Sequence, residues 1–90
     1  MIAIKPTPGR VVWYHPRGTD GLIHEAGTPL AAHIARVWSD TCVNLMVIDA
    51  NGDPHSKTSV LLHQEGNPRP DAGYAEWMPY QVGQAKKAEA

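Results

Sequence analysis

Residues Cys42 to Asp49 alternate in a way that few folds accommodate. Val43, Leu45 and Val47 fall on one face of a strand, and Asn44, Met46 and Ile48 fall on the other. Asn44 marks the second face as the one turned away from a core. Asn51-Gly52 follows, the strongest short-range hairpin signal a sequence carries. A type I′ turn with Gly52 at positive φ is the expected connection. His55 to Leu62 supplies the returning strand, on which the period-2 rule puts Val60 inward and Lys57 outward.

The rest of the chain arranges itself around this hairpin. Ala31 to Trp38 is a third β-prone run, separated from Cys42 by the turn pair Ser39-Asp40, so the three runs make a meander. Val11-Val12-Trp13-Tyr14 gives a first strand, and Tyr74 to Met78 a last one stopped by Pro79. Between the first strand and the meander, His15 to Pro29 holds three Gly and two Pro and reads as a long loop with one irregular turn near Leu22-Ile23. Such a loop is either functional or packed by its own side chains. Gln64 to Gly73 is a polar loop by composition. Residues 1–80 form the expected domain, and 81–90 a flexible tail, frayed or loosely helical.

Five short strands in under 80 residues favour a strongly bent barrel, which protects its edges by closing on itself. The expected fold is all-β: a small five-stranded SH3-like barrel with a long first loop and a tight Asn-Gly hairpin. Other small β-barrels and sheets remain the alternatives. An OB-fold would need a helix between strands three and four, where none is visible. With 90 residues the chain has room for one small core, burying roughly 60–65% of its unfolded surface, and not for a cleft between domains.

No catalytic or metal pattern emerges. Asp49-Ala50-Asn51-Gly52-Asp53 begins like a calcium loop, but Pro54 and Val60 stand where that loop needs Gly and a bidentate carboxylate. It reads as a turn. The five His show no ligand spacing, and Cys42 has no Cys-x-x-Cys partner. Asp40 next to Cys42 would blunt a thiolate, and Ser56 and Ser59 lack a nucleophile elbow. The expectation is a protein without cofactor, metal or enzymatic activity.

The formal net charge of −1 hides an asymmetry: residues 1–38 sum to +2, residues 39–80 to −4 and the tail to +1. A nucleic-acid-binding barrel using Lys5, Arg10, Arg17 and Arg36 beside Trp13 and Tyr14 is therefore the alternative reading, although the acidic second half repels phosphate. With Phe absent, at least two of Trp13, Trp38 and Trp77 are expected in the core. One cysteine, no basic start followed by an apolar stretch at Met1 to Pro6, and no apolar run beyond Leu45 to Ile48 point to a cytoplasmic protein without a membrane span.

The stretches Val37-Trp38-Ser39-Asp40 through Val43-Asn44-Leu45, Thr58-Ser59-Val60 and Ala75-Glu76-Trp77-Met78-Pro79-Tyr80, with the Asp-x-Asn-Gly hairpin, resemble a family of small uncharacterised proteins of tailed bacteriophages and proteobacterial prophages. The resemblance spans roughly residues 10–80. It implies a phage-borne accessory or structural protein, located in the host cytoplasm or the virion, and transfers no catalytic residue. Met78-Pro79-Tyr80-Gln81-Val82 is similar to the Pro-x-x-Tyr-Val ending of eukaryotic SH3 domains, but the groove tyrosines of their first strand are missing. The functional expectation is a non-enzymatic protein–protein interaction module with a phage or host partner. Self-association into a homo-oligomer is open. The expected contact surface is the loop His15–Pro29 with Trp13, Tyr14, Arg17, Trp38 and Tyr80.

Overall fold

The computed structural model describes residues 3–89; Met1 and Ile2, part of the segment read for a leader, and Ala90 of the expected tail lie outside them. The elements in chain order are β1 (Val11–His15), a 3-10 turn (Gly18–Asp20), β2 (Leu30–Ser39), β3 (Cys42–Ile48), β4 (Pro54–His63), β5 (Tyr74–Glu76) and α1 (Pro79–Glu89). The strands close into a five-stranded barrel in the order β1-β2-β3-β4-β5. Neighbours are antiparallel except β4 and β5, which run parallel; β5 also pairs antiparallel with β1, completing the circle. This is the small SH3-like barrel that the strand pattern predicts.

The alternation in β3 sets the interior. Val43, Leu45 and Val47 are buried, and they meet Val12, Ala32, Ile34, Val60 and Leu62 from the facing strands. Truncating a fully buried residue such as Leu62 to Ala costs about 2–5 kcal/mol in a core of this kind. Trp77 joins the same cluster. Its Nε1 is buried with no hydrogen-bond partner among the described residues. The ring's area holds it there, together with the Arg10 guanidinium 4.6 Å from the ring centroid.

Lys57 points inward, not outward as the period-2 rule predicts. It pairs with buried Leu45, while Val60 pairs with Val43, so Lys57 and Val60 share a face although three positions apart. The cause is a bulge: the register shifts between Val43 and Leu45, and Ser59 takes a left-handed φ of 53°. Lys57 reaches Asp20 of the long loop with an Nζ–Oδ1 distance of 3.1 Å.

The hairpin between β3 and β4 is one residue longer than a type I′ turn. Gly52 N–H donates to the Asp49 carbonyl and Asp49 N–H to the Asp53 carbonyl, both at 2.9 Å, leaving Ala50, Asn51 and Gly52 as the loop. Gly52 has the expected positive φ, 89°, but Asn51 does not. That is the three-residue connection in which a left-handed glycine follows an ordinary turn. Asp49 Oδ1 accepts from the N–H groups of Asn51 and Asp53, and Oδ2 lies 2.8 Å from His55 Nε2. The calcium-like motif is spent on the turn.

The long first loop is fastened to the barrel. Leu22 belongs to the core, the Ile23 carbonyl accepts from Ala50 N–H, and the irregular turn falls at Gly18–Asp20 rather than at Leu22-Ile23. The expected tail is largely helix. Pro79 opens α1, and Gln81 Oε1 accepts from Met78 N–H at 2.7 Å, the reciprocal half of a capping box. Gln81 Nε2 donates to the Val11 carbonyl at 2.8 Å, and Val82 packs against the core. Residues 81 and 82 therefore belong to the barrel's packing.

Candidate interaction face

Cross-strand register decides which side chains look outward from the meander. Ala31 pairs with Ile48, His33 with Met46 and Arg36 with Asn44; Ile48 pairs with Pro54, Met46 with Ser56 and Cys42 with Leu61. Partners directly opposite share a face. Bulges in β2 turn Ala35 with Arg36, and Trp38 with Ser39, to the same side. By register Arg36 is the one formally charged side chain turned outward from β2-β3-β4 among the described residues, and Lys57, paired inward, still borders the hollow on this side. Solvated sheet faces are normally polar and charged. Here Trp38, Met46 and Leu61 are 53%, 41% and 43% exposed.

Trp38 stands on this face in a fixed pose. The Arg36 guanidinium carbon lies 3.9 Å from the indole centroid, and Trp38 Nε1 donates to Asn44 Oδ1 at 2.9 Å. The same oxygen accepts from Ser59 N–H at 2.8 Å. One amide thus ties β2, β3 and the β4 bulge together beneath the indole. Beside this cluster lies a shallow hollow of about 460 Å³, bordered by Ala35, Asn44, Met46 and the β4 stretch from Pro54 to Thr58, which includes His55 and Lys57.

The five residues expected to form one contact surface do not converge. Trp38 and half-buried Trp13 both look outward, but Trp13 pairs with Ala31, seven positions along β2 from Trp38. Tyr14 is core: it is 3% exposed, and its hydroxyl donates to Asp20 Oδ2 at 2.8 Å. Burial, the hydrogen bond to Asp20 and the charge of Asp20 all push its phenol above the ordinary range. Arg17 also serves Asp20, through its backbone N–H at 2.8 Å, and its guanidinium lies against Gly73, where a Cβ would collide with it. Tyr80 sits on α1, 65% exposed, by a groove shared with Arg10 and Gln84. The expectation of two core tryptophans is corrected as well: Trp77 alone of the three lies in the buried cluster. The other buried aromatics are Tyr14 and Tyr74, while Trp13 is half-buried and Trp38 exposed.

Charged groups gather beyond β1 instead. Glu76 holds His15 Nε2 and Arg69 Nε, each at 3.1 Å, and the His15 ring stacks on Tyr74 at 4.8 Å and 18°. Of the basic residues proposed for nucleic acid, Arg10, Arg17 and Arg36 are each committed to a different neighbour, Trp77, Gly73 and Trp38. Arg36 and Ser59 as partners of Trp38 escaped the sequence reading. The one available signal was Asn44, a lone amide in an apolar strand. Compared with family models, curated proteins and solved structures, the chain matches none.

Proposed function

We propose that this protein is a non-enzymatic, phage- or prophage-derived interaction module that works through protein–protein contact at the outer face of β2-β3-β4, in the host cytoplasm or the virion. The observation that carries the reading is Trp38: an aromatic more than half exposed, yet locked by Arg36 and Asn44. Trp and Arg dominate binding hot spots, and a side chain already fixed loses little freedom on association. The stretches that carry the tailed-phage resemblance contain Trp38, Asn44 and Ser59, the parts of this cluster other than Arg36.

The test is quantitative co-purification of the tagged protein from phage-bearing cells, with Trp38→Ala and Tyr80→Ala variants in parallel. Loss of a stoichiometric partner with Trp38→Ala, and not with Tyr80→Ala, is the expected result. Binding of labelled DNA and RNA at two salt concentrations gives the opposing arm: micromolar, salt-sensitive binding would replace this reading with the nucleic-acid one.

A further inference from the structure

We infer that Gln64 and the hollow beside it form a receptor for an extended segment of a partner protein, a site that the chain's own N-terminal segment fills in the partner's absence. The site shares no residue with the Trp38 cluster. Gln64 is 4% exposed, and its side-chain amide holds both backbone groups of one residue: Oε1 accepts from Ile4 N–H at 3.0 Å, and Nε2 donates to the Ile4 carbonyl at 2.9 Å. Nε2 also donates to the Asp40 carbonyl at 2.8 Å, which keeps the amide in place. Every residue but proline carries the same backbone pair, so these bonds accept a segment whatever its sequence, as a sheet edge does in strand addition.

The resident segment is thinly held. Ile4 is half-buried, Lys5 exposed and Pro6 buried, the alternation of an extended chain. Among the described residues, Gln64 alone hydrogen-bonds to residues 3–6. Bonding to β2 begins at Gly9, whose φ is 92° and whose N–H donates to the Ile34 carbonyl at 2.7 Å. Residues 3–6 can therefore leave without opening the barrel.

Space and charge define the incoming segment. With Trp77, Pro79 and Val82, Ile4 lines a hollow of about 350 Å³ that its own side chain leaves open, within the range of about 300–1,000 Å³ typical of ligand sites. The charges at its rim are already paired, Glu76 with His15 and Arg69, and Glu65 with Lys86. An uncharged residue larger than Ile, an aromatic one, fits the Ile4 position best, in a segment that alternates apolar and polar side chains. Tethering keeps the resident segment near the clamp at an effective concentration of about millimolar, so a free segment of the same sequence competes poorly. A segment that fills the hollow overcomes the tether by the extra apolar area it buries.

Nuclear magnetic resonance titration of the full chain with a blocked peptide copying residues 3–7, and with copies carrying Ile4→Phe or Ile4→Asp, tests this. The Phe peptide should move the Trp77 indole N–H and the Gln64 side-chain amide and leave the Trp38 indole in place. The unaltered peptide should bind at least about tenfold more weakly, and the Asp peptide not at all. Saturating Phe peptide should also speed hydrogen exchange at the Ile4 amide at least about tenfold, because the resident segment is released. In the full chain, Ile4→Ser weakens the resident and should tighten the Phe peptide at least about tenfold, whereas Gln64→Leu removes the clamp and should abolish binding. Circular dichroism checks that both variants are folded, and Ile4 exchange in the wild-type chain decides the matter should either fail. No shift with the Phe peptide at about 5 mM, shifts centred on Trp38, or binding that leaves Ile4 exchange unchanged would each overturn the inference. Capture of a partner that depends on Trp38 is untouched by those results, so the two readings fail separately.

Discussion

Asp20 is bound by three parts of the chain at once: the Tyr14 hydroxyl, the Arg17 N–H and the Lys57 ammonium. Burial alone would raise its pKa, but these three donors outweigh it and hold the carboxyl below the ordinary range. A carboxylate with a lowered folded value contributes stability that is complete above the unfolded value, about 3.9, and is lost as pH falls through the folded one. Asp20→Asn should therefore cost about 1–2 kcal/mol at neutral pH and flatten the acid limb of a plot of melting temperature against pH. An unchanged acid limb would show that Asp20 does not hold the loop. Asp49, lowered chiefly by its hydrogen bond to His55, acts with the same sign, so part of the limb should survive. Ser59 belongs to this scale too. A left-handed φ strains a residue with a Cβ, so Ser59→Gly should raise stability by up to about 1 kcal/mol in chemical denaturation, provided the Asn44 bond to its N–H is kept.

Elements differ in how openly the sequence announces them. β3 is legible because Val43, Leu45 and Val47 alternate without interruption, and the Asn-Gly hairpin because glycine is cheap at positive φ. β4 is legible as a strand but not in its facing, because no residue type announces that Ser59 will turn left-handed. That left-handed turn sets Lys57 on the face of Leu45, opposite to the one strict alternation predicts. For the contact surface the reason is different: aromatic type alone does not say whether Tyr14 is core or Trp38 is surface. α1 was half visible. Its Ala- and Lys-rich end lacks a core-facing stripe, and the residues that anchor it, Gln81 and Val82, sit in the first turn. Two truncations separate these roles. Removing residues 83–90 should leave the melting temperature within a few degrees of the full chain, whereas removing 81–90 should lower stability by about 2–3 kcal/mol, through one lost side-chain anchor and one lost apolar contact. Equal melting curves for the two would show that α1 is not anchored at Gln81 and Val82.

Across the molecule, closure depends on side chains standing in for strand pairing. Gln64, 4% exposed, accepts from Ile4 N–H and donates to the carbonyls of Ile4 and Asp40, stitching the N-terminal segment and the β2–β3 turn to the end of β4. Gln64→Ala should cost about 2–4 kcal/mol, since several buried polar groups lose their partner together. Hydrogen exchange at the Ile4 amide should then speed up by orders of magnitude while β3 amides keep their relative protection. Uniform acceleration would mean instead that the clamp is part of the global unfolding unit. The β4 bulge has a consequence at this scale as well. It works as a parity device: one added residue lets a strand with a charged half and an apolar half turn both toward the interior. Deleting Ser59 would put Lys57 and Val60 two positions apart, so a regular strand would keep both inward and lose only the bulge, whereas straightening the bulge with Ser59 in place would turn Lys57 outward or Val60 and Leu62 with it. The facing of β4 is thus set by a count of residues as well as by their kind, and β4 should accept the loss of Ser59 more readily than the insertion of a residue elsewhere between Lys57 and Leu62.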